Sequence, residues 1–169
     1  MTLSSSRAEG LAITSDDLLV VLADLWEATF SCAIAEAAAS PDPATAWWAA
    51  VDLIDGEGKG VVAEVVMVVD EPALAAVARL TFGADEPATD HMIEVAAEAA
   101  NILGGNVKGI LARRTRLSSP RAGRGVPPLG PGPRTSVHAV DDRGRRMEVH
   151  VIHTSGTAPG GASRNEARR

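Results

Sequence analysis

The sequence predicts a mixed α/β domain in which a β-sheet built from at least two hairpins carries packed helices. Three observations point there. Two β-branched runs, residues 46–54 and 61–69, flank the glycine-rich connection 55–60, the pattern of a hairpin. A second pair of strand-like runs, 135–140 and 147–153, surrounds the turn Asp141-Asp142-Arg143-Gly144. Between the pairs, apolar residues recur at helical spacing, most extensively over 90–113. A chain of 169 residues, 46% of them hydrophobic, suits one domain burying about two-thirds of its unfolded surface.

Residues 1–13 are small and polar and read as a flexible arm; the domain itself is expected to span 14–153. Thr14 or Ser15 can cap a first helix, because Asp16 and Asp17 then occupy the turn where the helix dipole favours negative charge. Leu18, Val21, Leu22, Leu25 and Trp26 follow at helical spacing, and the segment is expected to run to about Ala38, before Ser40-Pro41-Asp42-Pro43. Asp70-Glu71-Pro72 is a helix start, with Asp70 as cap and proline in the first turn, where its missing N–H costs nothing. This short helix should stop near Phe82, at Gly83. Residues 118–133 hold five of the ten prolines and read as loop, and 154–169, rich in Gly, Ser and charge, read as a disordered tail.

Charge and composition exclude several classes. The net charge is −6, but residues 1–112 hold 4 basic and 18 acidic residues, while 113–169 hold 12 and 4. The chain is therefore an acidic body with a basic end. No apolar run approaches the roughly 20 residues of a membrane-spanning helix. Acidic residues interrupt the early apolar stretch, so a signal peptide is not expected. A single cysteine, Cys32, permits no internal disulfide and fits a reducing cytoplasm.

The helix at 90–113 carries the candidate chemistry. At 100° per residue, Met92, Ala96, Ala99, Leu103, Val107 and Ile110 share a core face. The opposite arc, about 100° wide, presents Asp90, His91, Glu94, Glu98, Asn101, Gly105 and Lys108. Glu98 and Asn101 are three apart and project together from adjacent turns. Gly104 and Gly105 each cost about 1 kcal/mol in a helix interior relative to Ala. Either another element packs closely against these glycines, or a partner approaches the helix there.

The run Glu94-Val-Ala-Ala-Glu98-Ala-Ala-Asn101-Ile-Leu-Gly-Gly resembles the signature helix of the chemotaxis phosphatases of the CheX, CheC and FliY group. That signature is Asp or Ser, three residues, Glu, two residues, Asn, then a stretch of small residues. The order of helix, hairpin, short helix, signature helix and late hairpin resembles CheX over most of 14–153, and one Glu-x-x-Asn copy favours CheX over the doubled CheC arrangement. The resemblance implies a CheX-like domain that hydrolyses the aspartyl phosphate of a response-regulator receiver domain. Asn101 would orient the attacking water, and Glu98 would engage a receiver lysine. Glu94, Gly105 and Lys108 would lie in the partner-binding face. It implies no cofactor of the chain's own, magnesium held by the receiver, and a homodimer, to which open strand edges also point. Glu94 stands where the signature has Asp or Ser, one methylene longer than Asp, so a receiver-binding module without hydrolysis is the alternative.

Other features read more simply. The segment 55–60 lacks the spacing of a phosphate loop. His150 and His153 fall on opposite faces of a strand, His91 and His138 have no ligand partners close in sequence, and no metal site is expected. Cys32 reads as a small core residue, Glu64 as outward-facing, and one of Trp47 and Trp48 as core, the other as an edge or oligomer contact. Arg113, Arg114, Arg116, Arg121, Arg124 and Arg134 form a basic cluster that can track nucleic-acid phosphates, but no aromatic residue after Phe82 offers base stacking. A solvated loop, or a basic edge complementing the acidic helices, is the simpler reading.

Overall fold

The computed structural model describes residues 13–111 and 114–154; the remainder of the arm and tail expected at the chain ends, and Arg113, lie outside the described residues. Its first helix, α1 (Ser15–Phe30), begins at a capping box in which Thr14 Oγ1 accepts from the Asp17 N–H and the Asp17 carboxylate accepts from the Thr14 N–H. It ends eight residues earlier than the sequence suggests. Ser31 turns into the left-handed region (φ 51°, ψ 38°), and its N–H closes the helix on the Glu27 carbonyl. The alanine-rich residues that follow form instead a short strand, β1 (Ile34–Glu36), paired with a distant strand. Tertiary pairing overrides local helix propensity here.

The expected hairpins are present as β2 (Trp47–Asp55) with β3 (Val61–Val69), and β6 (Arg134–Asp141) with β7 (Arg146–His153). Between them lie α2 (Glu71–Phe82), α3 (Thr89–Leu111), β4 (Thr115–Leu117) and β5 (Arg121–Arg124). Asp70 caps α2 through the Ala73 N–H at 2.9 Å and also accepts from the Arg146 N–H, tying the helix start to β7. The strand order is β1-β6-β7-β3-β2-β4, all antiparallel, with β5 also on β2. Residues 118–133 are therefore not wholly loop: Arg121 to Arg124 pair with Ala50 to Trp47.

One sheet face meets the helices. Val51, Val65, Met67, Val149 and Val151 form a single core with Leu22 of α1, Leu74 of α2 and Leu103 of α3. The other face carries a smaller cluster of Ala46, Ala50, Val66, Val68 and Ile152, covered in part by Trp48 and Leu129. The two tryptophans do alternate faces, with Trp47 in the main core. Trp48 is covered within the chain by β5, because a Cβ on Gly123 would stand 2.9 Å from its ring. Glu64 does not point to open solvent: it is 9% exposed beneath Arg121, whose guanidinium bonds Glu64 at 2.8 Å and Asp52 at 3.0 Å. No helix among the described residues is long and apolar enough to cross a membrane.

Candidate functional site

The site is built on α3, which lies against β2 with α1 and α2 packed beside it. Its buried side is Met92, Val95, Ala96, Ala100, Leu103, Gly104, Val107 and Leu111. That face is turned relative to the periodicity reading: Ala99 and Ile110 pack only partly, whereas Ala100, Gly104 and Leu111 are buried. The cause is Gly104. A Cβ at this position would stand 2.5 Å from Val51 Cγ2 and 3.1 Å from Leu117 Cδ2, so the absent side chain lets the helix settle on β2 and β4. Gly105 differs. It is exposed, and a Cβ there would meet nothing within 4 Å.

The side of α3 away from the sheet presents the expected residues. Asp90, Glu94, Glu98 and Gly105 are exposed, and Asn101 and Lys108 are half-buried. His91 departs from the stripe's expected role. Its ring stacks on Phe82 at 4.2 Å between centroids, which draws it into the α2–α3 contact. Glu94, Glu98 and Asn101 border a groove of about 470 Å³ whose floor is apolar, with Leu25 of α1 and Val77 and Phe82 of α2 among its walls. Among the described residues, neither Glu94 nor Glu98 takes part in an ion pair. Two carboxylates and a carboxamide are thus held on a rigid helix and left available to a partner.

The arginine cluster is partly committed within the chain. Arg121 serves Asp52 and Glu64, and Arg124 bonds Glu71 at 2.8 Å while lying 5.9 Å from the Trp47 ring centroid. Arg124 thus complements an acidic helix start, as the charge split suggested. Arg114, Arg116 and Arg134 are exposed.

Cys32, no longer helical, sits half-buried beside Asp141 and Arg145. Cys32, Asp141 and Asp142 bring donor atoms within 4.8 Å of one another. Asp141 is already occupied: its carboxylate accepts from Arg145 Nε at 2.5 Å and from Trp26 Nε1 at 3.0 Å. Burial opposes its ionisation, but the Arg145 and Arg143 backbone N–H groups and the Trp26 and Arg145 side chains outweigh this and hold it below the usual carboxylate value. This cluster anchors α1 to the β6–β7 turn.

No family model and no curated protein matches the sequence. Solved structures do match the fold. The chemotaxis protein CheX from Vibrio vulnificus superposes with a TM-score of 0.64 at 14% identity, over 89% of this chain and 100% of that one. CheX from Desulfovibrio desulfuricans gives 0.63 at 11%, covering 83% and 98%. CheX in a CheX–CheY–BeF3–Mg2+ complex from Borrelia burgdorferi gives 0.60 at 16%, covering 86% and 98%. The fold is therefore CheX-like: an antiparallel sheet with three helices.

Proposed function

We propose that the chain is a phosphatase of phospho-aspartyl receiver domains, with Asn101 and Glu98 as its working residues. The observation that supports this most is their placement: both lie on the outward side of one rigid helix, three residues apart, beside a groove and outside the protein's own ion pairs. The CheX-like fold, and the pairing of one such fold with CheY in the Borrelia burgdorferi complex, supply the partner class.

An acyl phosphate is intrinsically reactive, so positioning contributes most of the catalysis. The Asn101 carboxamide offers an acceptor to one water proton and a donor beside it without ionising. The water oxygen attacks phosphorus, the bond to the receiver's aspartate oxygen breaks, and that carboxylate and inorganic phosphate leave. Glu98 pairs with a receiver lysine and fixes the register. Glu94, Gly105 and Lys108 complete the contact, with Gly105 leaving the helix surface low. Magnesium resides on the receiver, the reaction takes place in the cytoplasm, and the phosphatase works as a homodimer.

The experiment is to follow phosphoryl lifetime on receivers from the same genome with wild-type protein, Asn101→Ala and Glu98→Ala. Acceleration by the wild type, lost in Asn101→Ala, is expected. The second reading, receiver binding without hydrolysis, is favoured by Glu94 at the position of Asp or Ser. It predicts Glu98-dependent binding with unchanged phosphoryl lifetime.

A further inference from the structure

The groove beside Glu98 and Asn101 is lopsided in its chemistry. Its bed is apolar and comes from three helices: Leu25 and Trp26 of α1, Val77 and Phe82 of α2, Ala99 and Ile102 of α3. The two threonines along it, Thr29 and Thr81, turn their hydroxyls back onto their own helices, donating to the Leu25 and Val77 carbonyls at 2.7 and 2.9 Å. The groove's polar side chains that make no hydrogen bond or ion pair among the described residues are Glu94, Glu98 and Asn101, all on α3. Its two carboxylates stand one helical turn apart, about 6 Å along the axis. Among the described residues, no lysine, arginine or histidine lines the groove.

We infer that this groove is the specificity pocket of the receiver contact, and that it takes a large apolar side chain standing next to the lysine engaged by Glu98. The partner class rests on the phosphatase reading above; what is added is the feature a receiver must carry besides its phosphate and its lysine. At about 470 Å³ the groove is in the size range of clefts that enclose whole ligands, so it has room for such a side chain. Ile102 on its lip is 42% exposed, apolar surface that gains by being covered.

Charge selects among the possible occupants. A rim with two unpaired carboxylates and no cation of its own favours a segment that brings positive charge beside its apolar group. A second copy seated groove to groove would set its own Glu94 and Glu98 against these, like charge on like. The chain's basic end does not fit either: residues 155–169 carry three arginines but no Leu, Ile, Val, Met, Phe or Trp to fill the bed. On a receiver the two features act together. The ammonium on Glu98 fixes the register, and the side chain in the bed adds about one to two powers of ten in affinity, which distinguishes one receiver from another.

The test measures binding and dephosphorylation of receivers from the same genome with Thr81→Trp and Val77→Trp, which fill the groove, and with Leu80→Ser, on α2 outside it. Thr81 is exposed, so its replacement spares the core, and circular dichroism checks the fold. Both groove variants should raise KM for the phosphorylated receiver, and Kd for the beryllofluoride-loaded one, by at least about tenfold. The kcat should stay within about twofold, because Asn101 is untouched. Leu80→Ser should change none of these. In methyl-labelled protein the Leu25, Val77 and Ile102 signals should shift on receiver binding, with Overhauser contacts to an apolar side chain beside the receiver's lysine. Wild-type Kd and KM in folded Thr81→Trp, or methyl signals that do not move, overturn the inference and leave the phosphatase reading standing. An equal loss in Leu80→Ser overturns it too, by moving the contact onto the open surface of α2. Methyl shifts that follow the protein's own concentration without receiver overturn it in favour of a second copy. A receiver that binds through the groove yet keeps its phosphate supports the inference and overturns the phosphatase reading alone; if no receiver binds, both fall.

Discussion

Gly104 of α3 sits so close to Val51 of β2 that a single added carbon would lie 2.5 Å from the Val51 methyl Cγ2. Val51 is fully buried in the main core and cannot yield without moving its neighbours. This contact sets the rotation of α3, and that rotation places Glu98 and Asn101 outward.

Gly104 and Gly105 should therefore respond oppositely to the same substitution. Gly104→Ala gains helix propensity but overpacks the core, for a net loss of about 1–2 kcal/mol. Gly105→Ala meets nothing, and should gain about 0.5–1 kcal/mol. Urea denaturation of the two variants checks this. A stabilised Gly104→Ala would show that the helix is not held by this contact.

The strap at 118–133 depends on Arg121. Arg121→Ala leaves Glu64 buried without its partner, and should cost about 1–3 kcal/mol. Glu64→Gln in the same background should recover part of that loss, because the uncompensated charge is removed. A thermodynamic cycle over the four proteins measures it.

Asp141 should make stability fall in acid. Its folded-state pKa lies below the ordinary value of 3.8, so its contribution is complete above that value and is lost as pH falls through the lowered folded value. Arg145, Cys32 and Asp142 are the ionisable side chains close to it. Asp141→Ala, which leaves the Arg145 guanidinium buried, should cost about 3–5 kcal/mol at neutral pH and flatten the acid limb of a stability-versus-pH curve.

What was legible in the sequence is what local chemistry determines. Asp70, Pro72 and Gly83 bound α2 by capping rules alone, and β2, β3, β6 and β7 announced themselves by their residue types. What escaped is what only long-range pairing creates. Ile34 to Glu36 carry helix-favouring alanine yet pair with β6, and Arg121 to Arg124 include a glycine that fits because Trp48 needs the space. The candidate site shows the same division. Periodicity placed Glu94, Glu98 and Asn101 on one side of α3, but could not tell which glycine packs and which stays open. The groove they border lay outside its reach, because Leu25, Val77 and Ile102 meet only where three helices converge.

The central claim concerns Asn101, and the rate of aspartyl-phosphate loss from a phosphorylated receiver tests it most directly. With wild-type protein the rate should rise above the spontaneous one. Asn101→Ala, whose stability should be nearly unchanged because the side chain is half-buried and outside the core cluster, should return the rate to the spontaneous value while still binding the receiver through Glu98. A receiver whose phosphate is lost equally fast with wild type and Asn101→Ala, both accelerated, would contradict the account.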